Sequence, residues 1–447
     1  MNKLFRSTIA LEEEKMNDIE LSTLDVMETD RDEYEEEMTD VVAVMESLNN
    51  LSDIIKTAST ANGLGATDAK LLSVTVNHVY DRVGLRKQKI LPALECIAVG
   101  KDNISNTTIV LEGIVDGLKK LWQLIVDGFK KAIEWVSNFF KTVFSHTSKL
   151  ISKAKNIRQR ADNVKSKVGT EALESEGSSA TIDNEHISNI LHIGGKVPTD
   201  FNEKIKYFKQ IVHDRFSTAK ERVEDYDKMF THIVKDEVLD KNVIDTFALS
   251  SRMPELARAT DGINSELLNN PESLGFDKPP VGCGLVRTKE LFGGKAVVGI
   301  FPKASISGDV MLSALPHIGA NVKDFEPNKN VTADSKLQVL KIEDIKMLSD
   351  AVIYISEEIN SYKALESSVN NLKTRFLNLA DKTVSRYKET ASSDDEPKNN
   401  KTYKCVERIT QFYPRLVDQP LTSLSKYSVT VCKAMSDYAD LSLKHYE

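Results

Sequence analysis

Apolar positions recur at intervals of three and four residues over long tracts of this chain, the spacing that lines one face of an α-helix. From Val41 to Lys56 the series Val41, Val44, Met45, Leu48, Leu51, Ile54 and Ile55 predicts an amphipathic helix ending before Asn62-Gly63-Leu64-Gly65, and Thr67-Asp68 stand where a cap for the next one belongs. Residues 68–83 and 86–99 read as two helices broken near Gly84, with Pro92 in the first turn of the second or marking a kink. The longest pattern runs from Ile109 to Ile151. At 100° per residue Leu111, Ile114, Leu118, Leu121, Trp122, Ile125, Phe129, Ile133, Val136, Phe140 and Phe144 fall in one arc, with Asp116, Lys119, Lys120, Asp127, Lys130 and Lys131 opposite. Two words inside it, Ile114-Val115-Asp116-Gly117-Leu118-Lys119-Lys120 and Ile125-Val126-Asp127-Gly128-Phe129-Lys130-Lys131, are offset by 11 residues. That period is about three turns plus roughly 20°, so the apolar face stays on one side.

Beyond Val168 the periodicity stops in a run of small and polar residues, and a linker is placed at 175–200. Helix resumes over 201–260, with Phe201, Ile205, Phe208, Ile211, Val212 and Phe216 on one face. Pro and Gly punctuate 270–330, where the β-branched run Lys295 to Phe301 predicts a strand and Leu285-Val286 a hairpin partner. A long helix of near-heptad spacing is expected from Ile342 to about Lys388, then a break at 391–401, then helical segments from Tyr403 to His445 interrupted at Pro414 and Pro420. The fold class is mostly α: an N-terminal helical region (1–174) with a long amphipathic helix, the linker, and a helical C-terminal domain (201–447) with a small β insertion near 281–325.

Charge adds a polarity to this layout. Of the net −8, residues 1–50 contribute −11, with 15 acidic and 4 basic side chains, while 104–169 carry 12 basic and 5 acidic ones. A head this acidic repels the phosphate backbone. Divided after residue 174 the two halves carry −4 each, so neither is a strongly basic DNA condenser. Four cysteines without a CxxC pair fit a reducing compartment, and neither a signal peptide nor an 18-residue apolar run is present.

Candidate chemistry is sparse. Gly194-Gly195-Lys196 and Gly293-Gly294-Lys295 are fragments of a phosphate loop without its first glycine, and Val197 and Ala296 replace the hydroxyl. Gly282-Cys283-Gly284 lacks the third glycine of a dinucleotide fingerprint and reads as a turn. The histidines form no metal-binding spacing, and no nucleophile signature occurs. No catalytic, cofactor-binding or metal residue is assigned, and the chain is read as a non-enzyme. The arc of 109–151, with both tryptophans and flanking lysines, has the composition of an interfacial membrane helix, and a core helix covered by its neighbours accounts for it better. Leu118, Trp122, Ile125, Phe129, Ile133 and Phe140 are its candidate interaction face. The basic continuation Lys153, Lys155, Arg158, Arg160, Lys165 and Lys167 has the charge to touch phosphates, yet without interleaved aromatics it reads as a solvated face.

The tripeptide Ala-Leu-Glu occurs at 10–12, 93–95, 172–174 and 364–366; Ala172-Leu173-Glu174 opens into the small-residue stretch at Ser175, where a protease can thread the chain. The opening MNKLFRSTIALEE with its acidic continuation, the long middle helix, the word Leu291-Phe292-Gly293-Gly294-Lys295-Ala296-Val297-Val298 and the C-terminal helix closing on a Tyr resemble the internal head proteins of large tailed bacteriophages. The resemblance implies a protein made in the host cytoplasm and packaged inside the phage head, whose N-terminal propeptide a prohead protease removes after a small-x-Glu tripeptide. Here Ala172, Leu173, Glu174 and Ser175 match best. It also implies other head proteins, the prohead protease and further copies of the chain as partners, with DNA contact left open. The alternative is a membrane-active or host-delivered protein acting through the amphipathic helix 109–151.

Overall fold

The computed structural model describes residues 62–82, 89–101, 103–167, 180–235, 266–303, 317–329, 331–371 and 419–447, most positions between 44 and 59, and isolated ones at 310, 314, 374, 375 and 378. The acidic stretch of residues 1–40, the break at Gly84, the tripeptide site Ala172 to Ser175, the break at 391–401 and Pro414 lie outside the described residues. What is described is mostly α with two small antiparallel sheets, as the periodicity predicts. It divides into two compact units, one formed by residues between 44 and 135, the other by 136–371 and 419–447. That division falls within a helix rather than at residue 174.

In the smaller unit, helical positions between 44 and 59 bury Val44, Leu48, Leu51 and Ile55, while Ile54 faces solvent. Two helices follow, α1 (Ala66–Arg82) and α2 (Ile90–Ala98), then the first part of α3 (Asn103–Lys167). Thr67 and Asp68 lie inside the first turn of α1 rather than capping it; the first turn closes on the Gly65 carbonyl, and Asp68 sets a negative charge beside unpaired amides. Pro92 is in the first turn of α2, where its missing N–H costs no helical bond. Two glycines of α3 have a steric reason: a Cβ on Gly113 would stand 2.4 Å from Ile90 Cγ1, and one on Gly117 2.5 Å from Tyr80 Oη. Tyr80 lies in that space and donates to the Gly113 carbonyl at 3.1 Å. Gly113→Leu is therefore expected to destabilise the smaller unit by about 1–3 kcal/mol through overpacking despite leucine's better helix propensity. An unshifted denaturation midpoint would show that α2 can retreat.

The larger unit contains β1 (Thr181–Asp183), α4 (Glu185–Leu191), α5 (Asn202–Lys235), β2 (Glu266–Leu267), β3 (Cys283–Arg287), β4 (Lys295–Pro302), β5 (Gly319–Asp324), β6 (Lys336–Gln338), α6 (Ile342–Asn360) and α7 (Gln419–Lys444). The β insertion is larger than the run at 295–301 implies: β2-β3-β4-β5 form one antiparallel sheet and β1-β6 another. The hairpin partner is as expected, with Leu285 opposite Ile300 and Val286 opposite Gly299. Within the span read as linker, β1 and α4 are ordered, α4 being capped by the Asn184 side chain, which accepts from the Ile187 amide at 2.9 Å.

The helix expected to run from Ile342 to about Lys388 changes to a 3-10 turn at Ser361–Ala364 before helix resumes. Its apolar series from Ile345 through Val369 is nevertheless buried. Pro420 does not interrupt the C-terminal helix; it is the second residue of α7, where proline is tolerated. α7 is buried on nearly every face and packs against α4, α5, α6 and β5. Its hydroxyls meet backbone groups of the strands and the residues beside them. Ser423 Oγ accepts from the Val322 amide of edge strand β5 at 2.9 Å, Tyr438 donates to the Gln338 carbonyl at 2.5 Å, and Ser442 Oγ accepts from the Leu340 amide at 3.2 Å. A buried sheet edge requires such partners.

Candidate functional site

α3 carries most of the residues singled out from the sequence. Leu118 and Phe140 of the candidate face are buried within the chain, as are Leu121, Val126 and Val136 of the same arc. Trp122, Ile125, Phe129 and Ile133 have helical backbone, and their side chains are outside the described set. Phe140 stacks on Tyr362, ring centroids 4.0 Å apart, so at that end the arc is a core face of its own chain.

Three cations of the basic continuation of α3, Lys153, Arg158 and Arg160, form a seam of ion pairs with acids of the same unit. Lys153 reaches Asp437 at 2.6 Å, Arg158 reaches Asp350 at 2.5 Å, and Arg160 reaches both Asp440 at 2.6 Å and Glu447 at 2.8 Å. The hydrogen bonds that Arg160 donates to Glu447 chiefly raise its guanidinium further above the ordinary range, against burial. Glu447 is held below the usual carboxylate range by Arg160. Burial opposes the charge of Asp440, and the hydrogen bonds from Lys444 and Arg160 outweigh it, leaving that carboxyl lowered. Beside the seam an open groove of about 390 Å³ is lined by Lys155, Arg158, Gln159, Asp162, Tyr354 and Glu357.

The two double-glycine words meet, without forming a phosphate loop. Gly194-Gly195 and Gly293-Gly294 each turn at positive φ. The Gly194 amide donates to Glu290 at 2.7 Å, and the Gly293 amide to the His192 carbonyl at 2.8 Å. His192 Nδ1 accepts from the Gly195 amide, and burial lowers the pKa of the imidazole. The Gly194 and Gly293 amides thus fasten the end of α4 to the segment between β3 and β4, and the Gly195 amide closes its own turn on His192. Among the described residues no group of His, Cys, Asp and Glu is arranged to hold a metal, and no helix is long and apolar enough to cross a membrane. Burial raises the Cys283 and Cys432 thiols, keeping them protonated. Both are expected to resist a thiol reagent in the folded protein while the half-buried Cys96 reacts, as counted by mass spectrometry; rapid labelling of Cys432 would mean that α7 opens.

Two other copies of the tripeptide, at 93–95 and 364–366, are built into structure, and the one at 10–12 lies outside the described residues. Leu94 lies wholly buried in α2, and Glu366 accepts a hydrogen bond from Ser137 at 3.2 Å. Sequence reasoning missed a different feature: in the smaller unit Leu71, Val74, Ile104 and Leu124 are exposed, Leu71 at 70% and Val74 at 68%. The pairs Leu71-Leu72 and Val74-Val76 satisfy two helical phases, and only packing chooses Leu72 and Val76 as the inner set.

The family model of the phiKZ-like phage internal head proteins matches residues 14–441, which takes in both compact units. The chain belongs to that family. It is a structural protein of the phage head interior; the matched residues take in the long helix and the Leu291 to Val298 word, and the opening at 1–13 lies before them. No curated protein and no solved structure matches this internal head protein.

Proposed function

We propose that this internal head protein acts by packing rather than by catalysis, and that its N-terminal region enters the assembling head as a propeptide which the prohead protease severs after Glu174. The observation that carries the reading is the family match across 14–441, which extends on both sides of Ala172-Leu173-Glu174. That tripeptide stands between the end of α3 at Lys167 and the start of β1 at Thr181, so a cut there opens no described helix or strand. The acidic 1–50 segment keeps the precursor soluble. Other head proteins dock on the outward apolar side chains of the smaller unit, Leu71, Val74, Ile104 and Leu124. The membrane-active alternative has less support, because Leu118, Leu121, Val126 and Phe140 of its apolar arc already lie inside the chain.

N-terminal sequencing and mass spectrometry of purified mature particles test this. A new N-terminus at Ser175 is expected; intact chains that still begin at Met1, or particles without the protein, overturn it.

A further inference from the structure

The part of α3 on the N-terminal side of the proposed cut is a wall of the larger unit. Val136, Phe139, Phe140, Val143, Phe144, Leu150, Ala154, Ile157, Ala161 and Val164 are all buried, so every turn from 136 to 164 contributes to that core. Facing them are residues from far along the chain. Tyr362 stacks on Phe140, and Lys363 lies over the Phe144 ring at 4.7 Å. Thr147 donates to Asn360 at 2.9 Å and Ser137 to Glu366 at 3.2 Å. Lys153 and Arg160 bind carboxylates of α7 and its end, and Arg158 and Asp162 pair with Asp350 and Lys346 of α6.

We infer that residues 136–167 remain bound to the rest of the larger unit once the chain is cut at Glu174, so that maturation yields a nicked protein of two associated fragments. The inference rests on the proposed cut for its role in the phage, though not for its physics. Cleavage between Lys167 and Thr181 removes a covalent tether and none of the contacts above. Separation, by contrast, exposes the apolar face of α3, strips its cover from Tyr362, and takes Lys153 from Asp437 and Arg160 from Asp440. Because the pairs are mostly half-exposed, they add little to the association, and the apolar face holds it. Everything covalently upstream then stays attached unless a second cut falls before Val136.

The test uses the full chain with the recognition sequence of a specific protease inserted between Glu174 and Ser175. After digestion, both fragments are expected in one gel-filtration peak in equal amounts, at about 0.15 M and at about 1 M salt alike; two separate peaks overturn the inference. In mature particles, peptides from 136–167 are expected in equal amount to those from 181–235, alongside the Ser175 N-terminus. A Ser175 N-terminus without the 136–167 peptides overturns the inference while upholding the cut. Absence of that N-terminus overturns the cut, and the engineered nick then decides whether the fragments hold together.

Discussion

Phe140→Ala is expected to cost the larger unit about 3–5 kcal/mol, the range for deleting a fully buried aromatic ring. Phe140 is 1% exposed and sits among three rings, 4.0 Å from Tyr362, 5.5 Å from Phe139 and 5.8 Å from Phe144. The loss joins apolar transfer to the cavity left behind, and a helix held at both ends cannot collapse to fill it. Hydrogen exchange at the amides of Val352, Ile355 and Ile359 in α6 measures it without requiring the whole chain to unfold in one step. Protection lowered by less than about tenfold, that is by less than about 1.4 kcal/mol, would show that the Phe140 ring does not hold α6 in this core.

The second large effect is a reversal of pH dependence. Arg160 holds Asp440 and Glu447, both lowered. A carboxylate with a depressed folded pKa contributes stability that is present above its unfolded value, about 4, and lost as pH falls through the folded one. The native seam therefore weakens on acidification below about pH 4. In Arg160→Glu three carboxylates crowd one place, their pKa values rise, and the repulsion is relieved by protonation. A loss of about 1–3 kcal/mol near neutral pH is expected, the scale of charge-assisted hydrogen bonds forfeited. The gap between melting temperatures at pH 7 and pH 4 should shrink or invert; a variant tracking the native profile would mean that solvent screens the seam completely.

Much of the fold was legible because long helices repeat their pattern many times. The apolar residues from Phe201 to Phe216 share one face and those from Ile345 to Val369 recur at near-heptad spacing, and both series are buried. Short elements gave no such repetition. β1 has three residues and β2 two, and both exist only because Leu337 and Val286 lie opposite to pair with them. The seam of α3 was legible as charge, but its meaning was not: six cations within fifteen residues read as a solvated face, and for Lys153, Arg158 and Arg160 the partners are acids of α6, α7 and its end, some 190 to 290 residues away. The interaction face divided in a similar way. Periodicity identified the arc but not its cover, since a stripe that meets Tyr362 and one that awaits a partner have the same spacing.

α7 sets an order of events on the ribosome. Helices α4, α5, α6 and strand β5 all lean on a segment that is synthesised after every one of them, so they emerge with their inner faces bare. A chain stalled before residue 419 offers greasy surface with no lid, which chaperones and proteases recognise. Translation through α7 thus supplies the last of the cover over these faces.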